Sequence, residues 1–270
     1  MKEKVILITG ATSGIGLALA RMFGKEGGRI AFTSRDAERC RQTEAALQEE
    51  GIEVLGIVAD AASENDQFRA VAETVNRYGR LDVLINNAGI SMRALFSELS
   101  PEVFRKVMDI NFYGAVHATR AALPWIRRSK GSIVGISSVA GFKGLPGRTA
   151  YSASKFAMEG FLEALEGELL RQDVHVLVAC PGFTASRIRE NALTANGSLQ
   201  GSSPRQEAAM MQPEEVAEAI FHAIRKRRRR LVLSREGKLT FWLNKFFPAF
   251  VLRKVYEKMA AEPDSGMERI

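Results

Sequence analysis

With 270 residues, 46% hydrophobic and 26% charged, the chain has the composition of a single globular domain, which excludes disorder as its dominant state. Its net charge of +7 is local: residues 225–270 hold 13 basic and 5 acidic side chains, whereas residues 1–224 hold 25 and 26, so a nucleic-acid binder with a basic face through its fold is excluded. Two cysteines cannot build a disulfide framework and suit a reducing compartment, and three scattered histidines give no metal-ligand spacing, so no metal is expected.

Along the chain, short β-branched runs alternate with helix-like segments. The first run, KVILI (4–8), reads as a buried strand rather than a secretory h-region, and no stretch approaches the roughly 20 apolar residues of a membrane span. It leads into TGATSGIG, with Gly10, Gly14 and Gly16 spaced as GxxxGxG, and then into the helical LALARMFGKEG. Glycines allow a tight turn and close approach of a phosphate, and the helix N-terminus behind them offers unpaired N–H groups and a positive dipole end. A plain tight turn is the competing reading of this segment alone.

The second run, RIAFTS (29–34), is followed by DAERCRQTEAALQEEG (36–51), where Asp36 is placed to cap a helix and Gly51 to stop it. EVLGIVA (53–59) precedes Asp60; LDVLIN (81–86) ends in NNAG (86–89); DINFYG carries Asn111; GSIVGIS (131–137) ends at Ser137-Ser138. In the amphipathic segment 150–171, Tyr151 and Lys155 of YSASK stand four apart and share one helix face. VHVLVA (174–179) leads to PGFT (181–184), the irregular stretch 185–212 reads as a mobile loop or lid, helix 213–224 runs into RKRRRR (225–230), and LVLS (231–234) is a seventh strand. Strands that are apolar on both faces and separated by helices call for a parallel sheet covered on both sides, hence one doubly wound α/β domain.

Together TGATSGIG, NNAG, Asn111, Ser138, YSASK and Pro181-Gly182, in that order, resemble the short-chain dehydrogenase/reductase superfamily over residues 4 to about 234. The resemblance implies a single Rossmann domain over 1–236, with a parallel seven-stranded sheet, a substrate lid at 185–212 and an extension at 237–270. It implies an oxidoreductase with Asn111, Ser138, Tyr151 and Lys155 as its catalytic set. The cofactor would be held by Gly10, Thr12, Ser13, Gly14, Ile15, Gly16, Ser34, Arg35, Asp60, Asn87, Ala88, Gly89, Tyr151, Lys155, Pro181, Gly182 and Thr184.

Reducing a ketone needs a hydride donor and an acid for the developing alkoxide. A tyrosine has a pKa near 10, and a neighbouring ammonium such as that of Lys155 would lower it. By the resemblance, Lys155 also holds the nicotinamide ribose, Ser138 polarises the carbonyl, and Asn111 holds a water linking Lys155 to solvent. A carboxylate at the end of the second strand would bind a ribose 2′-OH, whereas an arginine suits a 2′-phosphate; here neutral Ser34 ends the strand, Arg35 follows and Asp36 caps the next helix, so NADP(H) is the expected cofactor. Asp60 resembles the family's adenine contact. Thr184 replaces a more common aliphatic residue and Ser186 falls where a threonine is usual, leaving open which hydroxyl meets the cofactor.

Residues 237–260 combine apolar positions at helical spacing with Lys238, Lys245, Arg253, Lys254 and Lys258, and Pro248 should kink or split the helix. Two readings stay open: an interfacial membrane contact, or packing as a wall of the substrate pocket or against a second subunit. NNAGISMRALF, ISSVAGFKGLPGRTAYSASK and PGFTASRIRENALTANGS resemble the hydroxysteroid dehydrogenase-like branch and, more closely, its reducers of long-chain lipid ketones with their bacterial relatives. That resemblance implies an enzyme of lipid metabolism reducing a hydrophobic ketone, such as a 3-keto lipid, a ketosphingoid base or a steroid. Met92, Phe142, Leu145, Phe183 and the lid 187–212 are the candidate pocket residues. A 3-oxoacyl-(acyl-carrier-protein) reductase and an NADPH-binding regulatory module are the alternatives. The family resemblance implies a homodimer or homotetramer, while the cysteine usage and the basic tail suggest the cytoplasm or the periphery of a membrane.

Overall fold

The computed structural model describes residues 1–203 and 210–268. Its first strand, β1 (Val5–Ile8), shows why the sheet is covered on both sides: Ile6 and Ile8 enter one hydrophobic core and Val5 and Leu7 another, with none more than 1% exposed. The chain continues through α1 (Gly14–Lys25), β2 (Arg29–Ser34), α2 (Ala37–Glu49), β3 (Val54–Val58), α3 (Glu64–Tyr78) and β4 (Val83–Asn86). Then come α4 (Pro101–Met108), a π-type turn (Asp109–Tyr113), α5 (Gly114–Ser129), β5 (Ser132–Ile136), a 3₁₀ turn (Val139–Gly141), α6 (Thr149–Leu169) and β6 (His175–Cys180). Helix α7 (Pro213–Arg225), β7 (Arg230–Val232), α8 (Arg235–Phe246) and α9 (Pro248–Ala260) complete it.

The seven strands form one parallel sheet in the order β3-β2-β1-β4-β5-β6-β7. Helices α1, α2 and α7 cover one face through Leu19, Phe23, Leu47, Ile220 and Phe221, and Phe23 meets Phe221 edge-on at 5.3 Å. On the other face α3, α5 and α6 contribute Val71, Ala118, Ala122, Leu162 and Leu165. Strand order reverses between β1 and β4. The loops that leave those two strands therefore diverge and open a crevice at their C-terminal ends, the usual ligand position in such sheets.

Asp36 caps α2, its carboxylate accepting from Arg39 N at 3.0 Å, and Gly51 follows the helix at φ +77°. Pro248 splits the C-terminal segment rather than kinking it: it starts α9, where its missing N–H has no helical acceptor to satisfy. The run 225–230 is not a free basic strip. Arg227 pairs with Asp173 at 2.9 Å, Arg229 pairs with Glu166, and Arg230 pairs with Glu159 at 2.5 Å. Of the segment expected to be a lid, 204–209 lie outside the described residues. The flanking parts are fastened by backbone bridges between Met92 and Leu193 and between Thr184 and Met211, with Ala192 and Leu193 buried. Among the described residues no helix is long and apolar enough to cross a membrane, and no cluster of potential metal ligands occurs.

Candidate active site

The crevice is built by tying the loops after β1 and β4 together. Thr9 Oγ1 accepts from the Asn87 and Ala88 amides, both at 3.0 Å, and Asn87 Nδ2 donates to the Thr9 and Gly10 carbonyls at 2.9 and 2.7 Å. Gly10 lies at φ +67°, and a Cβ there would stand 2.9 Å from the Ala88 Cα, so this junction requires glycine. Gly10, Thr12, Ser13, Gly14 and Ile15 line the resulting cavity. Ser13 caps α1 with no side-chain bond, leaving the first-turn N–H groups available to an anion. Gly16 departs from expectation. It does not line the cavity; a Cβ there would sit 2.6 Å from Asn87 Nδ2, so it serves close packing of α1 on the neighbouring loop. The glycine turn and uncapped helix start fit the diphosphate of a dinucleotide.

Ser138 follows β5, and Tyr151 and Lys155 lie on one face of α6; all three line the cavity beside Asn87, Ala88 and Gly89. Burial pushes the Tyr151 phenol up, while a hydrogen bond from Ser138 and the charges of Arg148 and Arg189 pull it down. Lys155 is not among the groups that lower it, contrary to the sequence expectation. Its ammonium lies 5.7 Å from the Tyr151 ring centroid and donates to the Ile136 carbonyl at 2.8 Å. Burial brings Lys155 itself down to about 8, opposed by the nearby Glu159 carboxylate.

Asn111 sits in the π-type turn, fully buried, and does not line the cavity. Its Oδ1 accepts from Ile90 N at 2.8 Å, and its Nδ2 donates to Ile90 O at 2.9 Å and to Ser154 Oγ at 3.0 Å. It therefore clasps the loop after β4 to α6 and acts as a positioning residue.

At the far end, Ser34, Arg35, Asp36, Arg39 and Asp60 line the cavity. Asp36 is engaged as a helix cap and lies 3.4 Å from Arg39, and Asp60 Oδ1 accepts from Ala62 N at 2.9 Å. Pro181, Gly182, Phe183, Thr184 and Ser186 form the opposite wall. Thr184 Oγ1 donates to Gly182 O at 3.2 Å, whereas a Cβ on Gly14 would stand 3.3 Å from Ser186 Cβ, so Ser186 faces the glycine turn.

Of the candidate pocket residues, Leu145 and Phe183 line the cavity; Met92 is fully buried in a separate small core, and Phe142 packs edge-on against Phe241 at 5.1 Å. Apolar type alone does not separate a cavity wall from core.

The profile described as short chain dehydrogenase matches residues 4–197. Dehydrogenase/reductase SDR family member 7B of Bos taurus is 35% identical over 98% of this chain and 84% of its own. The chain is a short-chain dehydrogenase/reductase. A short chain dehydrogenase/reductase from Burkholderia phymatum in complex with NAD shares the fold at a TM-score of 0.83 and 24% identity, covering 92% of this chain and 95% of that one. An alcohol dehydrogenase from the archaeon Thermococcus sibiricus complexed with 5-hydroxy-NADP superposes at a TM-score of 0.74 with 26% identity, covering 84% and 93%. This short-chain dehydrogenase/reductase thus belongs to an oxidoreductase family that binds nicotinamide cofactors.

Sequence reasoning passed over a buried network beneath the tyrosine–lysine pair. Glu159, one turn past Lys155, accepts from Ser137 Oγ at 2.7 Å and pairs with Arg230. Its i+4 spacing from Lys155 was the available signal. It also passed over Arg148, which lines the cavity and pairs with Glu262 at 2.8 Å, fastening the C-terminal segment to the start of α6.

Proposed function

We propose that this short-chain dehydrogenase/reductase reduces a hydrophobic ketone, of the long-chain 3-keto lipid, ketosphingoid or steroid-like class, to a secondary alcohol with NADPH. The observation that carries the reading is a single cavity of about 1100 Å³. Its lining brings together Ser34, Arg35 and Arg39, the set Ser138, Tyr151 and Lys155, and the apolar Leu193, Leu199, Met210, Val255 and Met259, with Glu236 and Lys258 also on the wall. The basic group suits a phosphorylated ribose and the apolar group an alkyl chain.

The residues divide the work as follows. Gly10, Gly14 and the start of α1 receive the diphosphate, with Ser186 beside them. Because Asp36 is held as a cap, the strand end offers neutral Ser34 and the guanidinium of Arg35 to a 2′-phosphate. When bound, the nicotinamide supplies the hydride. Ser138 donates to the ketone oxygen and fixes its distance from Tyr151, which gives its proton to the developing alkoxide. Lys155, charged below about 8, holds the ribose. Asn111 fixes the turn through which a water relay would reach Lys155.

A carrier-linked 3-oxoacyl substrate has less support, because three of the six basic residues of 225–230 are paired with the chain's own carboxylates. A purely regulatory module has no need of a Ser–Tyr–Lys set in the cavity. A paired titration tests the cofactor assignment: NADPH should bind at least about tenfold tighter than NADH, and Arg35→Ala should remove most of that difference. Equal or tighter binding of NADH would contradict it.

A further inference from the structure

Helices α8 and α9 have two faces in opposite surroundings. On the inner face Gly237, Thr240, Val255 and Met259 line the cavity, and Phe241 packs on Phe142. Away from the cavity, Leu239, Trp242 and Phe246 share one face of α8, and Phe247 and Phe250 follow at the turn and the start of α9; each is more than half exposed, Phe246 at 71%. Apolar surface gathered in one patch marks an interaction site, because leaving it in water is costly.

The charge around the patch decides what covers it. No acidic residue occurs from 237 to 256. Lys238 and Lys245 make no ion pair among the described residues, and Lys245 lies over the Phe241 and Trp242 rings at 4.6 and 4.9 Å. Arg253 and Lys254 share the single carboxylate of Glu257. A second copy docked here about a two-fold axis would set Lys238, Lys245, Arg253 and Lys254 against their own kind. Anionic headgroups complement those charges, and the acyl boundary beneath them accepts the rings. Neither helix is long and apolar enough to cross a bilayer.

We propose that the outer face of α8 and α9 docks on an anionic lipid bilayer, with Trp242, Phe246, Phe247 and Phe250 inserted among the headgroups and the basic side chains at the rim. Docking stands independently of the substrate reading. What rests on that reading is a further role: the same two helices that touch lipid wall the cavity, so an apolar ketone would pass from the bilayer to Tyr151 without crossing bulk water.

The test is co-sedimentation of the full chain with vesicles of phosphatidylglycerol or of phosphatidylcholine. The protein should sediment with the anionic vesicles, less with the neutral ones, and be released by salt. The combined variant Phe246→Ser/Phe247→Ser/Phe250→Ser alters only exposed rings; its bound fraction should drop at least about tenfold while its rate on a short, water-soluble ketone stays unchanged. Failure of the parent chain to bind either vesicle, or equal binding by the variant, would overturn the proposal. Dimers of the parent chain that the variant loses in sedimentation velocity, without vesicle binding, would assign the face to a second copy instead. Neither readout of binding needs substrate or cofactor, so absence of ketone turnover would count against the proposed activity and not against this surface.

Discussion

Lys155 carries a burden that its motif does not reveal. It is 4% exposed, and burial takes its pKa from 10.5 to about 8. Between those values the unfolded chain holds a proton that the folded chain has released. The contribution of Lys155 to stability therefore rises with pH through this window and is flat below about 8. Urea unfolding of the cofactor-free protein across pH 8 to 10.5 should show the parent chain gaining stability relative to Lys155→Met. A difference between the two that does not change with pH would contradict the buried placement of the ammonium. The four-residue spacing put Tyr151 and Lys155 on one helix face, and the family resemblance named Ser138; the structure brings all three to the cavity wall. The balance of their protonation was not legible in the sequence, since it depends on how much water the fold excludes and on the Ile136 carbonyl that takes the lysine's hydrogen bond.

At the scale of elements, α6 is the part on which the site depends. Tyr151, Lys155 and Glu159 follow one another at four-residue intervals, so the tyrosine proposed as the acid, the lysine and a paired carboxylate share a face. Through Glu159 the helix grips Ser137 after β5 and Arg230 on β7. Glu159→Ala would leave Ser137 without that acceptor and Arg230 without its counter-charge, costing about 3 kcal/mol in urea unfolding. A loss under about 1 kcal/mol would show that the network does not hold the sheet edge to α6. Most elements could be read from pattern: strands buried on both faces are continuous apolar runs, Asp36 and Gly51 bracket α2, and Pro248 separates α8 from α9. The π-type turn around Asn111 could not, because no Gly or Pro within Asp109–Tyr113 marks the change between α4 and α5. The Glu159–Arg230 pair was equally hidden, its partners being 71 residues apart.

For the whole molecule, the reversal of strand order between β1 and β4 sets the cavity's position, and the C-terminal helices set its character. They supply Thr240, Val255 and Met259 to the wall, and Arg148–Glu262 closes the chain back onto the start of α6. The sequence showed that residues 237–260 are amphipathic and basic; which side faced inward needed the packing of Phe241 on Phe142. On the proposed reading, a substrate burying a long apolar chain against this wall gains about 0.8 kcal/mol per added buried methylene. The most direct measurement is therefore NADPH oxidation with matched long-chain and short-chain 3-keto substrates, with Tyr151→Phe as the blank. The account predicts that kcat/KM rises at least about a hundredfold from the short to the long chain, and that the blank falls by about a hundredfold or more on both. Equal rates on both chain lengths, or a Tyr151→Phe variant that turns over like the parent chain, would contradict it.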